Sequence, residues 1–202
     1  YCLLREVPFD RDGDFELGTY VDRYNADLAN DFGNLASRAL NMLRQYTDGE
    51  VPAPTDTKGI HGELAELAVK LPHQLDSRMN ALDFSGALED IWRLVGRANK
   101  YVEEAKPWEL NKDDARRDEL HSVLYNLAEA LRVLAYLAYP FIPDACQTLA
   151  RQLGRPSPGE LGPGAHTLAE TATWGGFAGG ERTELGELLF PRLDKALVLA
   201  GE

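Results

Sequence analysis

The chain has 202 residues, of which 44% are hydrophobic and 27% charged, values that suit one compact core in a water-facing domain. Two cysteines far apart in sequence, Cys2 and Cys146, provide no disulfide framework and fit a reducing cytosol. With no run of 18 apolar residues and no signal-like start, neither membrane insertion nor export is expected, and the chain reads as cytoplasmic.

The net charge of -12 speaks against a general affinity for nucleic acid, because phosphate contacts need Lys and Arg. Its distribution is uneven. Residues 19–48 carry three Arg against four Asp, and residues 91–117 carry seven basic against five acidic groups. The acidity lies elsewhere in the chain.

Taken in chain order, an entry segment over 1–15 precedes a long helix predicted over 16–47. Its apolar residues Tyr20, Val21, Tyr24, Leu28, Leu35, Ala39, Met42, Leu43 and Tyr46 recur at helical spacing, while Asn30, Asn34, Arg38 and Asn41 fall largely off that stripe. Asn34 and Arg38 are four apart and share one face, about 6 Å along the axis. Gly49, Pro52 and Pro54 mark a loop over 48–59, followed by a helix over 60–80.

A third helix is predicted over 83–105, capped by Asp83 or Ser85, with the stripe Phe84, Leu88, Ile91, Trp92, Val95, Ala98, Val102 and Ala105. Pro107 ends it, because its ring removes a donor and restricts Lys106, and Trp108 is turned out onto a bend. With Lys100, Lys106 and Lys112 nearby, such a ring has the chemistry to stack on an unpaired base while ammonium groups meet phosphates. The ordinary reading of a Trp after a helix-ending Pro is a core plug, and of an exposed Asn and Arg a solvated face.

A fourth helix over 113–139 shows Leu120, Val123, Leu124, Leu127, Leu131, Leu134 and Leu137 on one stripe, and a fifth is expected over 143–153. Antiparallel helices on short links point to an all-α antiparallel bundle. Residues 154–180 hold eight Gly and three Pro in 27 positions and read as a loop, long enough to be mobile or to dock on something outside this chain. A last short helix is expected over 181–190, before Pro191. His61, His73, His121 and His166 show no pair at ligand spacing, so no metal site is expected.

Four ordered segments resemble methionyl-tRNA synthetases. Tyr24-Asn25-Ala26-Asp27-Leu28-Ala29-Asn30-Asp31-Phe32-Gly33-Asn34-Leu35-Ala36-Ser37-Arg38 is similar to the first helix of that family's anticodon-binding domain, and Tyr101 to Trp108 to its second anticodon segment, which ends in Pro-Trp. Leu3-Leu4-Arg5-Glu6-Val7-Pro8-Phe9 with Asp12-Gly13-Asp14-Phe15 resembles the link leaving the catalytic domain. Leu189-Phe190-Pro191-Arg192-Leu193-Asp194 resembles the closing segment. Leucyl- and cysteinyl-type synthetases share the class, but the Asn-Leu-Ala-Ser-Arg segment with the Pro-Trp pair favours the methionine type.

The resemblance implies the helix bundle of class Ia anticodon-binding domains over 16–153, preceded by a linker over 1–15 and followed by a loop and tail over 154–202 that packs back toward the catalytic domain. It implies that Asn34, Arg38 and Trp108 recognise the CAU anticodon loop of methionine tRNA, with Pro107 setting the angle of the indole. Tyr24, Asn99 and Tyr101 are expected to support or border that face. ATP and Mg belong to the parent ligase. Its His-Ile-Gly-His-like and Lys-Met-Ser-Lys-Ser-like motifs do not occur in these residues, so no catalytic residue, no cofactor and no activity of its own are expected of this chain. Gly59-Ile60-His61-Gly62 echoes the first motif out of order and reads as a helix entry. The alternative is a helical scaffold or protein-interaction module that kept the fold without RNA binding.

Overall fold

A computed structural model describes residues 1–7, 13–14, 16–54, 59–160 and 168–200. Pro8, Phe9, Asp12, Phe15 and His166 lie outside the described residues, as does 161–167 of the glycine-rich stretch. The chain starts with a short helix, α1 (Cys2–Glu6), within what reads in sequence as a linker. It docks on a later helix, where Ser85 Oγ donates to the Arg5 carbonyl at 3.0 Å.

One unbroken helical rod then runs from Leu17 to Thr47, as α2 (Leu17–Arg23), a π-helical stretch π1 (Tyr24–Gly33) and α3 (Asn34–Thr47). The length is as the apolar stripe predicts. The π stretch is not legible from that stripe, which assumes one helical period throughout. Within π1 the buried residues are Asp27, Leu28, Phe32 and Gly33, a spacing of five that matches i→i+5 bonding and brings Phe32 into the core.

The next helices follow their sequence signals closely: α4 (Ile60–Asn80), α5 (Phe84–Ala105), α6 (Pro107–Leu110), a 3₁₀ turn (Asp114–Arg116), α7 (Arg117–Leu137) and α8 (Pro143–Gln152). The side chain of Asp83 caps α5 by accepting from the Gly86 N–H at 3.0 Å. Pro72 lies buried inside α4, whose packing on α5 and α7 outweighs the missing donor. Around α7 the sequence predicts one apolar stripe, yet nearly every residue from Leu120 to Leu137 is buried, including Asn126, Glu129 and Arg132. It is the central helix, in contact with α3, α4, α5, α6 and α8.

The C-terminal part departs most from expectation. Residues 171–177 do not float: Glu129 and Arg132 on α7 take hold of their backbone, Glu129 accepting from the Phe177 N–H at 2.6 Å and Arg132 donating to the Thr171 carbonyl at 2.6 Å. Before them lies α9 (Leu168–Thr171). No helix forms over 181–190. The Val51 N–H donates to the Glu181 carbonyl at 2.8 Å and the Thr183 N–H to the Gly49 carbonyl at 2.7 Å, so tertiary partners take the groups a helix would need. The terminal helix is α10 (Lys195–Leu199), capped by Asp194. The tail folds onto the first rod, where Asn25 donates to the Leu193 carbonyl and accepts from its N–H, both at 2.9 Å. Phe190 lies 6.2 Å from the Phe32 ring and 6.1 Å, edge-on, from that of Tyr24.

Candidate nucleic-acid interface

Asn34 opens α3 and is exposed, and Arg38 follows one turn later on the same face. The Arg38 Nη2 donates to Glu103 Oε1 at 2.6 Å, with the two side chains 33% and 60% exposed. A second tie joins the same rod to α5 one stretch earlier, as Asn99 Nδ2 donates to the carbonyl of Asp31 in π1 at 3.2 Å. The face of α3 and the end of α5, separated by some 65 positions of chain, therefore meet at one surface. An exposed Arg–Glu pair of this kind is worth at most about 1 kcal/mol, so the guanidinium is held in place without being locked.

Three residues past Glu103 the backbone makes a sharp corner. Lys106 adopts the left-handed conformation, φ 46 and ψ 59, which costs a residue with a Cβ about 1–2 kcal/mol. The Lys106 N–H still closes α5 on the Val102 carbonyl at 3.0 Å, while its carbonyl accepts from the Glu109 N–H at 2.8 Å and so begins α6. Pro107 thus does more than stop one helix. It occupies the first position of the next, where its fixed φ and missing donor are no handicap. Leu110 anchors this single turn in the core, and the Trp108 ring is half-buried, one flank on the core and the rest open.

The residues expected to support or border this face separate into different environments. Tyr101 is fully enclosed, not at the surface: its hydroxyl lies 2.5 Å from His61 Nδ1 and accepts from Asn126 Nδ2 at 3.3 Å. The reason is angular, since Tyr101 falls on the side of α5 shared with Leu94 and Ala98, whereas Trp108 comes after the corner. Burial pushes the Tyr101 phenol far above its ordinary range. Tyr24 is half-buried against Phe190, and Asn99 is engaged with Asp31. His61 sits in the first turn of α4, in agreement with a helix entry.

Two features were not foreseen. A groove of about 270 Å³ runs beside Asn34, with Asn30, Gly33 and Ser37 on one wall and Leu188, Phe190 and Arg192 of the tail on the other. The signal for it is Gly33, where a Cβ would stand 3.0 Å from the Leu28 carbonyl and 3.4 Å from the Phe190 ring. The other is Glu103, readable in sequence only as a solvated helix-end carboxylate. Among the described residues no three His, Cys, Asp or Glu side chains form a cluster able to hold a metal, and no helix is long and apolar enough to cross a membrane.

Residues 51–191 match the model of the anticodon binding domain of methionyl tRNA ligase, and residues 1–40 match that of class I tRNA synthetases (M). Methionine–tRNA ligase from Caldanaerobacter subterraneus subsp. tengcongensis is 44% identical over 201 residues, covering 100% of this chain and 30% of that protein. The enzyme from Clostridium acetobutylicum is 40% identical, over 96% of this chain and 29% of that protein. The apo structure of Mycobacterium tuberculosis methionyl-tRNA synthetase superposes with a TM-score of 0.84 at 33% identity, covering 95% of this chain and 38% of the other. The chain spans about 30% of the length of the curated relatives it matches. By its sequence and its fold, the chain belongs to the family of methionyl-tRNA ligase anticodon-binding domains.

Proposed function

We propose that the Asn34–Arg38 face and the Trp108 corner read the CAU anticodon loop of methionine tRNA for a parent methionine–tRNA ligase. The observation that carries this reading is the direct Arg38–Glu103 contact, which puts the amide and guanidinium of α3 on the same surface as the helix end that presents Trp108. Loop bases are unpaired and offer their edges and faces, so the half-open indole serves as a stacking platform while Asn34 and Arg38 supply hydrogen bonds to base edges.

No bond is made or broken here. The domain contributes differential binding: a cognate loop satisfies the polar groups of the face, and a wrong base leaves some of them desolvated without partners. ATP and Mg would serve the ligation of methionine in the parent enzyme. The residues of this chain do not fit them, since neither nucleotide-binding motif occurs, and this chain alone is expected to activate no methionine. The exposed Leu3, Leu188 and Leu197 near the two chain ends support a tail and N-terminus that pack toward the catalytic domain.

The test is binding of a stem-loop oligoribonucleotide carrying CAU. Trp108→Ala is expected to weaken it by about 1–3 kcal/mol. Equal binding of CAU and scrambled loops, with no loss in the Trp108 variant, would leave only a helical scaffold.

A further inference from the structure

The corner that presents Trp108 lies in a stretch with seven lysines and arginines between Ile91 and Arg117, but most of that positive charge is already engaged. The four arginines between Ile91 and Arg117 each lie 2.8–3.0 Å from a carboxylate. Of the three lysines, Lys100 lies 3.3 Å from Glu104 and Lys112 2.9 Å from Glu109. Lys106 is the exception: it is exposed, and among the described residues it has no acidic partner.

This difference decides which cation an RNA strand meets first. A phosphate approaching a paired lysine meets the neighbouring carboxylate as well, so the attraction of one charge is cancelled by the repulsion of the other. A solitary ammonium carries no such cancellation, and a phosphate that neutralises it releases a counterion in full. Position reinforces charge. Lys106 stands at the corner between Glu103, which holds Arg38, and Trp108, two residues on. A base stacked on the indole leaves its phosphate one sugar away, within the sweep of a four-carbon stem.

Resting on the RNA-reading assignment above, we infer that Lys106 is the phosphate-binding cation of this site, seating the phosphodiester next to the base stacked on Trp108, and that Lys100 and Lys112 are not. The left-handed backbone of Lys106 gives the inference an unusually clean control. Glycine takes that conformation without penalty, so Lys106→Gly removes the ammonium while keeping the turn.

The experiment is a salt titration of CAU stem-loop binding to the 202-residue chain. Lys106→Gln and Lys106→Gly are both expected to make the slope of log K against log salt shallower by about 0.7, the value for one single-strand phosphate contact. Lys106→Arg should keep the slope, as should Lys100→Gln and Lys112→Gln. The Gly variant should melt no lower than the parent, which separates charge loss from misfolding. An unchanged slope in both Lys106 variants, or an equal drop in the Lys100 or Lys112 variant, overturns the assignment. The two readings fail differently: loss of CAU preference with an innocuous Trp108→Ala sinks the reader itself, whereas preserved preference with inert Lys106 variants sinks only the phosphate contact.

Discussion

Two Arg–Glu pairs in this molecule have the same chemistry and opposite roles. Arg38 and Glu103 are 33% and 60% exposed, whereas Arg132 and Glu129 are 3% and 0% exposed. In the buried pair four of the five guanidinium N–H groups are engaged: Nε and Nη2 donate to Glu129, Nη1 to the Thr171 carbonyl and Nη2 also to the Thr173 carbonyl. Glu129 in turn accepts the Gly175 and Phe177 N–H groups. Such an enclosed pair is out of a ligand's reach, and it fastens the glycine-rich segment to the central helix. In the exposed pair a single hydrogen bond, from Arg38 Nη2 to Glu103, is formed among the described residues. Availability to a partner is thus set by burial and by how many donors are already used, not by the identity of the residues.

The largest effect should come from the buried pair. Arg132→Ala leaves the Glu129 carboxylate enclosed without its counter-charge and is expected to cost about 3–5 kcal/mol in chemical denaturation. A loss below about 1 kcal/mol would mean that water reaches Glu129, and the contrast between the pairs would fail. The same truncation at Arg38 should change stability by less than about 1 kcal/mol. Its consequence should appear in RNA instead: Arg38→Ala is expected to relax the preference for CAU over scrambled loops more than it changes the salt slope, because an edge-reading group sets specificity and phosphate contacts set salt dependence. An unchanged preference would remove Arg38 from the site.

The smallest effect concerns Asp83, intermediate between the two pairs. The Gly86 N–H and then the Arg78 guanidinium hold its carboxyl below the usual range. A lowered carboxylate contributes stability that is complete above about pH 4 and is lost as pH falls through the lowered value. Asp83→Asn keeps an oxygen for the cap and removes that dependence, so the fall in melting temperature between neutral and strongly acidic pH should shrink by an amount worth well under about 1 kcal/mol at this half-exposed site. An identical acid response in the variant would place the titrating groups elsewhere.

Much of the helical plan is legible in the sequence. The boundaries of α4, α5 and α8 follow from capping residues, prolines and apolar spacing, because those signals act within a turn or two of chain. Asn34, Arg38 and Trp108, the residues proposed to read the anticodon, stand out by type and by family resemblance, and the structure puts Asn34 and Arg38 on an outward face. Tyr101 is misplaced by the same reasoning. A position nearly five turns into a helix carries too little angular information to say whether a tyrosine rims a surface or closes a core, and only α4 and α7, which bring His61 and Asn126 to its hydroxyl, settle that.

The residues that lie close in chain thus determined by themselves that this protein is a bundle of helices, where most of those helices begin and end, and that a proline would close α5 just before Trp108. Tertiary packing alone decided the rest: that Phe32 enters the core through a π stretch, that residues 181–190 give up a helix for contacts with 49–51 and Gln152, and that Glu129 and Arg132 spend their charges inside while Arg38 keeps its own at the surface. Local rules cannot see these outcomes. Each depends on a backbone or side-chain partner more than about 30 positions away, or on enclosure, which is a property of the assembled core.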